Sequence, residues 1–151
     1  MSKSHGETAR IVVGVDGSTS SKEALRWAVR QAELTHGIVE AVIAWDIPLA
    51  YASFGWLPPD AKALDLEGIA EQILADAIKE AVGPEPPVEI RTTVEHGNPS
   101  NVLLRAADGA SLLVVGSRGH GGFAEALLGS VGQHCTQHAP CPVVIVRGRV
   151  G

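Results

Sequence analysis

Strand and helix patterns alternate along the whole chain, and this alternation restricts the possible folds more than any other feature. Short β-branched runs are separated by segments in which apolar residues recur at helical spacing. Such alternation predicts one α/β domain with a mostly parallel sheet, and right-handed crossovers then place helices on both faces of the sheet. The five predicted strands are Arg10–Val15, Ile38–Trp45, Val88–Val94, Leu112–Val115 and Pro142–Val146.

Local signals indicate where the helices begin and end. Ser20-Ser21-Lys22-Glu23 is typical of a capping box, in which the serine oxygen and the glutamate carboxylate bond opposite backbone amides. It predicts the start of a first helix that ends at Gly37. Three further helices are predicted: one from Leu66 to Gly83-Pro84, one with Asn98 as N-cap and Pro99 in its first position, and one around Val131–His138.

The hydropathy of each strand predicts its place in the sheet. Val88–Val94 alternates apolar and polar residues, as expected for an edge strand that is wet on one face. Ile11–Val15 and Leu112–Val115 are apolar almost throughout, so we expect them in the middle. No change in composition interrupts the series. We therefore expect a single domain at residues 10–147, with short tails at residues 1–9 and 148–151.

Composition argues against several classes of function. The 151 residues include 12 Lys and Arg against 17 Asp and Glu, a net charge of −5, whereas nucleic acids and anionic membranes attract cationic surfaces. No apolar run is long enough to span a bilayer, and residues 1–10 contain no apolar signal-peptide core. Two cysteines are too few for a disulfide framework. We expect a cytoplasmic protein that binds neither nucleic acid nor membrane.

Two glycine-containing turns are the best candidates for chemistry. In sheets of this kind, ligands bind beyond the carboxyl ends of the strands, where the strand order reverses. If the first and fourth strands are neighbours there, Asp16-Gly17-Ser18 and Gly116-Ser117-Arg118-Gly119 face one crevice. Glycines let backbone amides converge on a phosphate, and a helix opening at Gly129-Ser130 adds further donors. The alternative is that these glycines only make tight strand-to-helix connections.

The spacing Gly116-x2-Gly119-x9-Gly129-Ser130, together with the Val13–Ser18 turn, resembles the ATP-binding members of the universal stress protein family. Gly97-Asn98-Pro99 and Ala139–Arg147 are also similar to that family, so the resemblance covers Arg10–Arg147. It implies an open, doubly wound, five-stranded parallel sheet of Rossmann-like, adenine nucleotide alpha hydrolase-like type with strand order 3-2-1-4-5. It also implies bound ATP, with Mg²⁺ or Mn²⁺ carried by the phosphates.

The resemblance assigns roles to individual residues. Asp16, with Gly17 and Ser18 beside it, would lie by the adenine and ribose, and Trp45 would stand where backbone groups meet the adenine edge. The family usually has a smaller residue than Trp45 at that position. No catalytic residue and no metal ligand is predicted. The residues expected around the ribose and phosphates are Gly116, Ser117, Arg118, Gly119, Gly129, Ser130 and Val131.

A second constellation, His134, Cys135, His138 and Cys141, has the residue types of a zinc site. The first three would lie on one helix, where the adjacent His134 and Cys135 point about 100° apart and cannot both face a metal. Cys135 also continues an apolar series and is expected to be a buried small hydrophobe. We therefore predict neither a zinc site nor a Cys135–Cys141 disulfide.

The fifth strand predicts self-association. Left bare at the edge of the sheet, an apolar strand invites aggregation, and pairing with a second copy would cover it. We expect a homodimer through Pro142–Arg147, which the family resemblance also implies. The aromatic loop Pro48–Pro59, with Tyr51, Phe54 and Trp56, is a nucleotide lid, a partner surface or packing against the second helix.

The sequence thus favours an ATP-binding regulatory protein of the stress response. Two alternatives stay open. One is a slow ATP hydrolase or phosphotransferase, for which Asp16 and His120 are the available groups. The other is a protein-interaction module that binds no nucleotide.

Overall fold

Five parallel strands form one sheet in the order β3-β2-β1-β4-β5. The computed structural model describes residues 8–46, 65–117, 131 and 133–147. Within these ranges the parallel sheet and its 3-2-1-4-5 order are confirmed. The strands are β1 (Arg10–Gly14), β2 (Ile38–Trp45), β3 (Ile90–His96), β4 (Leu112–Gly116) and β5 (Val143–Val146).

Helices cover both faces of the sheet. The first two, α1 (Thr19–Thr35) and α2 (Leu66–Val82), pack on one face, and α3 (Pro99–Ala106) packs on the other. A last helical segment, residues 133–138, joins α3 on its face through the buried Cys135. The faces follow from strand alternation, because Ile11 and Val13 enter the first layer and Val12 enters the second. Of the helices described, none combines the length and apolarity needed to cross a membrane.

Burial of the strands agrees with their predicted places. The three middle residues of β1 and the last four residues of β4 are buried, whereas β3 contains no buried residue. Both central strands are covered on two faces, so neither can alternate polar and apolar side chains. The edge position of β3 leaves one face wet.

The start of α1 differs from its prediction. Its N-cap is Ser18, whose Oγ accepts a hydrogen bond from the Ser21 amide at 3.2 Å, so the capping box at Ser20 is wrong. Glu23 instead forms an ion pair with Arg26. The helix starts earlier because Gly17, at φ 83°, turns the chain directly into it.

The start of α3 and the end of α1 can also be compared with their predictions. α3 begins as predicted, with Asn98 Oδ1 accepting from the amides of Ser100 at 2.9 Å and Asn101 at 3.3 Å. At the end of α1, His36 rather than Gly37 takes the left-handed conformation, at φ 56°. Gly37 then starts the connection to β2, its amide donating to Ala32 O at 2.8 Å.

The apolar stripe of α2 is buried over only part of its width. Ala70, Leu74 and Ala77 are buried, but Ile69 is 49% exposed and Ile73 is 37% exposed. The helix lies over β2 and the edge strand β3, so only its innermost positions are covered by the described residues. The predicted aromatic loop Pro48–Pro59 lies outside the described residues.

The Arg10 side chain links the amino-terminal end of β1 to the C-terminal end of α3. Its Nη1 donates to Glu40 Oε1 at 2.6 Å and to Ala106 O at 2.9 Å, and its Nη2 donates to Asp108 O at 2.7 Å. Glu40 also accepts from Thr93 Oγ1 at 2.7 Å. One guanidinium therefore bonds the carbonyl of the last residue of α3, which the helix leaves open, and a second carbonyl just beyond the helix.

Candidate functional site

The carboxyl ends of β1 and β4 meet at the first turn of α1. A Cβ built on Gly116, the last residue of β4, would lie 2.5 Å from Ser20 Oγ and 2.7 Å from the Ser20 carbonyl carbon. Real Cβ atoms do not approach backbone so closely, so the absence of a side chain at Gly116 allows this contact. The strand end and the start of α1, about a hundred residues apart in sequence, are therefore direct neighbours.

This contact also separates two explanations of the glycine. At Gly116 the close approach is between a strand and a helix of the same chain, so packing alone requires glycine there. For Gly116, the first glycine of the Gly-x2-Gly-x9-Gly-Ser motif, the alternative that glycine only permits a tight connection between strand and helix therefore applies. Gly119 and Gly129 lie outside the described residues.

The Asp16-Gly17-Ser18 turn is held by short polar contacts. Asp16 Oδ1 accepts from the Ser18 amide at 2.9 Å, and the Asp16 amide donates to Ser21 Oγ at 3.3 Å. Ser18 and Ser21 are buried, whereas Asp16 stays partly exposed. The first turn of α1 itself carries no acidic side chain, and the carboxylate beside its N-terminus is that of Asp16, which bonds the amide of the N-cap Ser18.

The β4 turn is anchored on its other side to β5. The Ser117 amide donates to Val146 O at 2.8 Å, and Ser117 itself is partly exposed. Val131 is helical and packs in the layer shared by α3 and Cys135. The other predicted ligands of this stretch, Arg118, Gly119, Gly129 and Ser130, lie outside the described residues, as does His120.

The backbone carbonyl of Trp45 points toward β3 rather than toward β1. Its carbonyl accepts from the Gly97 amide at 2.8 Å, and its ring lies on His96, with ring centroids 4.5 Å apart. Successive residues of a strand turn their backbone groups to opposite neighbours, and Val42 O accepts from Val15 N at 2.8 Å. Even-numbered positions of β2 therefore face β1. The last such position in the strand is Ala44, whereas the carbonyl of Trp45 faces β3.

His96 and Asp46 form a second group that the sequence argument missed. His96 Nε2 lies 3.1 Å from Asp46 Oδ1, and both side chains are more than half exposed. The register of β2 and β3 pairs Trp45 with His96, which sets the two rings side by side. Because strand three was predicted to end at Val94, His96 was not placed at a strand end, and only the observed register brings it here.

The two cysteines are free thiols in apolar surroundings. Cys135 is fully buried, and burial raises its pKa to about 11, which confirms the predicted buried hydrophobe. Burial also raises the pKa of Cys141. Within the described residues no cluster of three or more His, Cys, Asp or Glu side chains is placed to hold a metal ion.

Comparison with known proteins gives consistent matches. Residues 7–147 match the model of the universal stress protein family. Universal stress protein Rv2623 of Mycobacterium tuberculosis is 35% identical over 144 residues, which cover 95% of this chain and 46% of that protein. The chain thus spans about half the length of the curated relatives it matches.

Two solved structures show the same fold. Universal stress protein UspA from Lactobacillus plantarum superposes with a TM-score of 0.71 at 22% identity, covering 92% of this chain and 97% of that one. A universal stress protein in complex with cAMP superposes with a TM-score of 0.60 at 26% identity, covering 94% and 98%. On the strength of the family match across residues 7–147, this chain belongs to the universal stress protein family.

Proposed function

We propose that this chain is a regulatory protein of the stress response that binds an adenine nucleotide, ATP, at the carboxyl edge of the sheet. The nucleotide would lie between the Asp16-Gly17-Ser18 turn and the Gly116-Ser117-Arg118-Gly119 turn. The observation that carries this proposal is the contact of Gly116 with Ser20. It places the end of β4 beside the first turn of α1, and parallel α/β sheets bind ligands at this edge.

The chemistry of the described residues fits such a ligand. The N-terminus of α1 carries partial positive charge, and Asp16 is a partly exposed carboxylate that can accept bonds from ribose or base. At the end of β2, Ala44 has its backbone groups on the side of β1. A relative of 26% identity was solved with cAMP, which supports an adenine nucleotide.

The remaining ligands are proposed from the motif. Gly119, Gly129, Ser130 and Val131 would surround the phosphates with backbone amides and a hydroxyl, and Arg118 would add a cationic fork. Since the described residues hold no carboxylate cluster, Mg²⁺ or Mn²⁺ would enter bound to the phosphates. Both cysteines are free thiols, which suits the cytoplasmic location included in the proposal.

The first experiment identifies the nucleotide and tests Asp16. Chromatography of the supernatant from heat-denatured purified protein should show adenine nucleotide. In a separate sample of folded protein from which any bound nucleotide has been removed, calorimetry should measure ATP binding. In Asp16→Asn the amide oxygen can still hold Ser18, but an NH₂ group replaces the second acceptor. We expect binding about tenfold weaker with an unchanged melting temperature. The matched control Asp108→Asn, exposed at the opposite edge, should bind normally.

A second pair of variants tests the motif. Gly119→Val and Gly129→Val place side chains where the phosphates are proposed and should abolish ATP binding. Unchanged dissociation constants in both variants would contradict the phosphate cradle. The alternatives have distinct signatures: steady ATP turnover lost in Asp16→Asn or His120→Ala indicates an enzyme. Absence of copurified nucleotide, with no thermal shift on adding ATP, indicates an interaction module.

We further propose a homodimer through β5 and its flanks, Pro142–Arg147. Pro142 O accepts from the Leu113 amide of β4 and Val146 O accepts from the Ser117 amide just after it, so alternation turns the backbone groups of Val143 and Ile145 away from β4. Ile145 is also 43% exposed, although it lies in an apolar strand. Two copies related by a two-fold axis can pair these outward groups as antiparallel strands.

Sedimentation tests the dimer. The purified chain should sediment as a dimer at micromolar concentration, and Ile145→Lys should sediment as the 15.7 kDa monomer because it places charge in the shared edge. Leu34→Lys is the matched control, since Leu34 is 76% exposed at the far end of α1. A wild-type chain that sediments only as a monomer contradicts the interface.

A further inference from the structure

The last helical segment carries two histidines whose rings lie against each other. His134 and His138 are both exposed, and their ring centroids are 4.5 Å apart with an interplanar angle of 41°. They are four residues apart, so their side chains leave the helix only about 40° from one another. Two imidazoles on successive turns of one helix face are the arrangement by which helices chelate transition metals.

Packing keeps this face turned outward. Cys135 is fully buried against the α3 layer, and Val131 and Ala139 pack there as well. Burial of Cys135 fixes the rotation of the helix, and His134 and His138 then share its neighbouring, exposed side.

Cys135 and His134 cannot face the same ion, which excludes a zinc site that uses both, and the structure agrees because Cys135 is buried while His134 is exposed. A site that uses the two histidines alone does not meet this objection. We propose that His134 and His138 form a bidentate binding site for a borderline transition-metal ion such as Ni²⁺, Zn²⁺ or Cu²⁺. Water fills the other coordination positions.

The donor set determines the selectivity. Imidazole nitrogen suits Ni²⁺, Cu²⁺ and Zn²⁺, whereas Mg²⁺ and Ca²⁺ require oxygen ligands. The segment from Val131 to Arg147 contains no Asp or Glu to supply them. The site is therefore chemically distinct from the Mg²⁺ or Mn²⁺ that would enter with a nucleotide, and it does not depend on the proposed nucleotide function.

Thermal unfolding of the tag-free, nucleotide-free chain tests this site. An ion that binds the folded chain raises its melting temperature. We expect Ni²⁺ and Zn²⁺ to raise it saturably, EDTA to reverse the rise, and Mg²⁺ to have no effect. Calorimetry should give one ion per chain, and His134→Ala or His138→Ala should weaken binding at least about tenfold.

Two control variants test whether the metal effect requires His134 and His138 on the same side of the helix. His36→Asn removes a single exposed histidine elsewhere and should leave the metal effect unchanged. The double variant Thr136→His with His138→Thr keeps the composition but moves one imidazole about 200° from His134 around the helix, so binding should be lost. An undiminished metal effect in this variant, or no effect in the unaltered chain, would overturn the proposal.

Discussion

Gly116→Ala should destabilise the protein through its contact with α1. The new Cβ would meet the Ser20 carbonyl carbon at 2.7 Å, and backbone cannot swing aside as a side chain can. Overpacking of this kind costs about 1–3 kcal/mol, and a backbone contact belongs in the upper half of that range. The smaller entropy of the unfolded alanine chain offsets part of this cost. We therefore expect the free energy of unfolding to fall by about 2 kcal/mol in total.

Gly14→Ala is the matched control for this experiment. Gly14 ends β1 as Gly116 ends β4, but a Cβ there would meet only the side chain of Leu103, 2.9 Å from its Cδ1. That side chain can rotate, so we expect a change within about 1 kcal/mol. The comparison therefore isolates backbone contact from the general effect of adding a methyl group to a strand end.

Urea unfolding measures both variants. With an m value of about 2 kcal/mol/M, the loss in Gly116→Ala lowers the midpoint by about 1 M. Adding Ser20→Ala removes the 2.5 Å contact with Oγ but leaves the carbonyl carbon, so it should restore only part of the loss. Equal midpoints for Gly116→Ala and Gly14→Ala would refute the contact between β4 and α1 on which the proposed site depends.

Other features of the fold give four more expectations. Arg10→Met should cost about 1–3 kcal/mol in urea unfolding, because it removes the Arg10 donor from Glu40 Oε1 and from two backbone carbonyls; a neutral result would contradict the bonding described. His36→Gly should raise stability by about 0.5–1 kcal/mol in thermal unfolding, since glycine adopts φ 56° without strain, and a lower melting temperature would count against that strain. Cys135, with a pKa of about 11 in the fold, should resist a thiol reagent at pH 8 until urea is added, while Cys141 reacts sooner. The raised pKa of Cys135 also means that stability falls as pH rises from about 9 towards 11, because only the unfolded chain ionises there; rapid labelling of native Cys135 would contradict both expectations.

Periodicity and caps predicted most of the element order. The limits of β2 and the N-cap of α3 agree with the sequence argument, since β-branched runs and an Asn-Pro pair act within a few residues. The start of α1 was misplaced because Ser18, Ser20 and Ser21 all carry hydroxyls suitable for a cap. Choosing among them required the turn at Gly17, whose conformation depends on the strand before it.

The sequence by itself determined the α/β class, the central places of β1 and β4 and the edge place of β3, because burial on one or two faces is written in the hydropathy of each strand. Only the tertiary structure decided that Gly116 touches Ser20, that Ala44 rather than Trp45 faces β1, and that His96 lies on Trp45. These features depend on register and alternation between segments distant in the chain. Local residue preferences do not determine which residues of two strands stand opposite each other, and only the pairing of the strands sets that register.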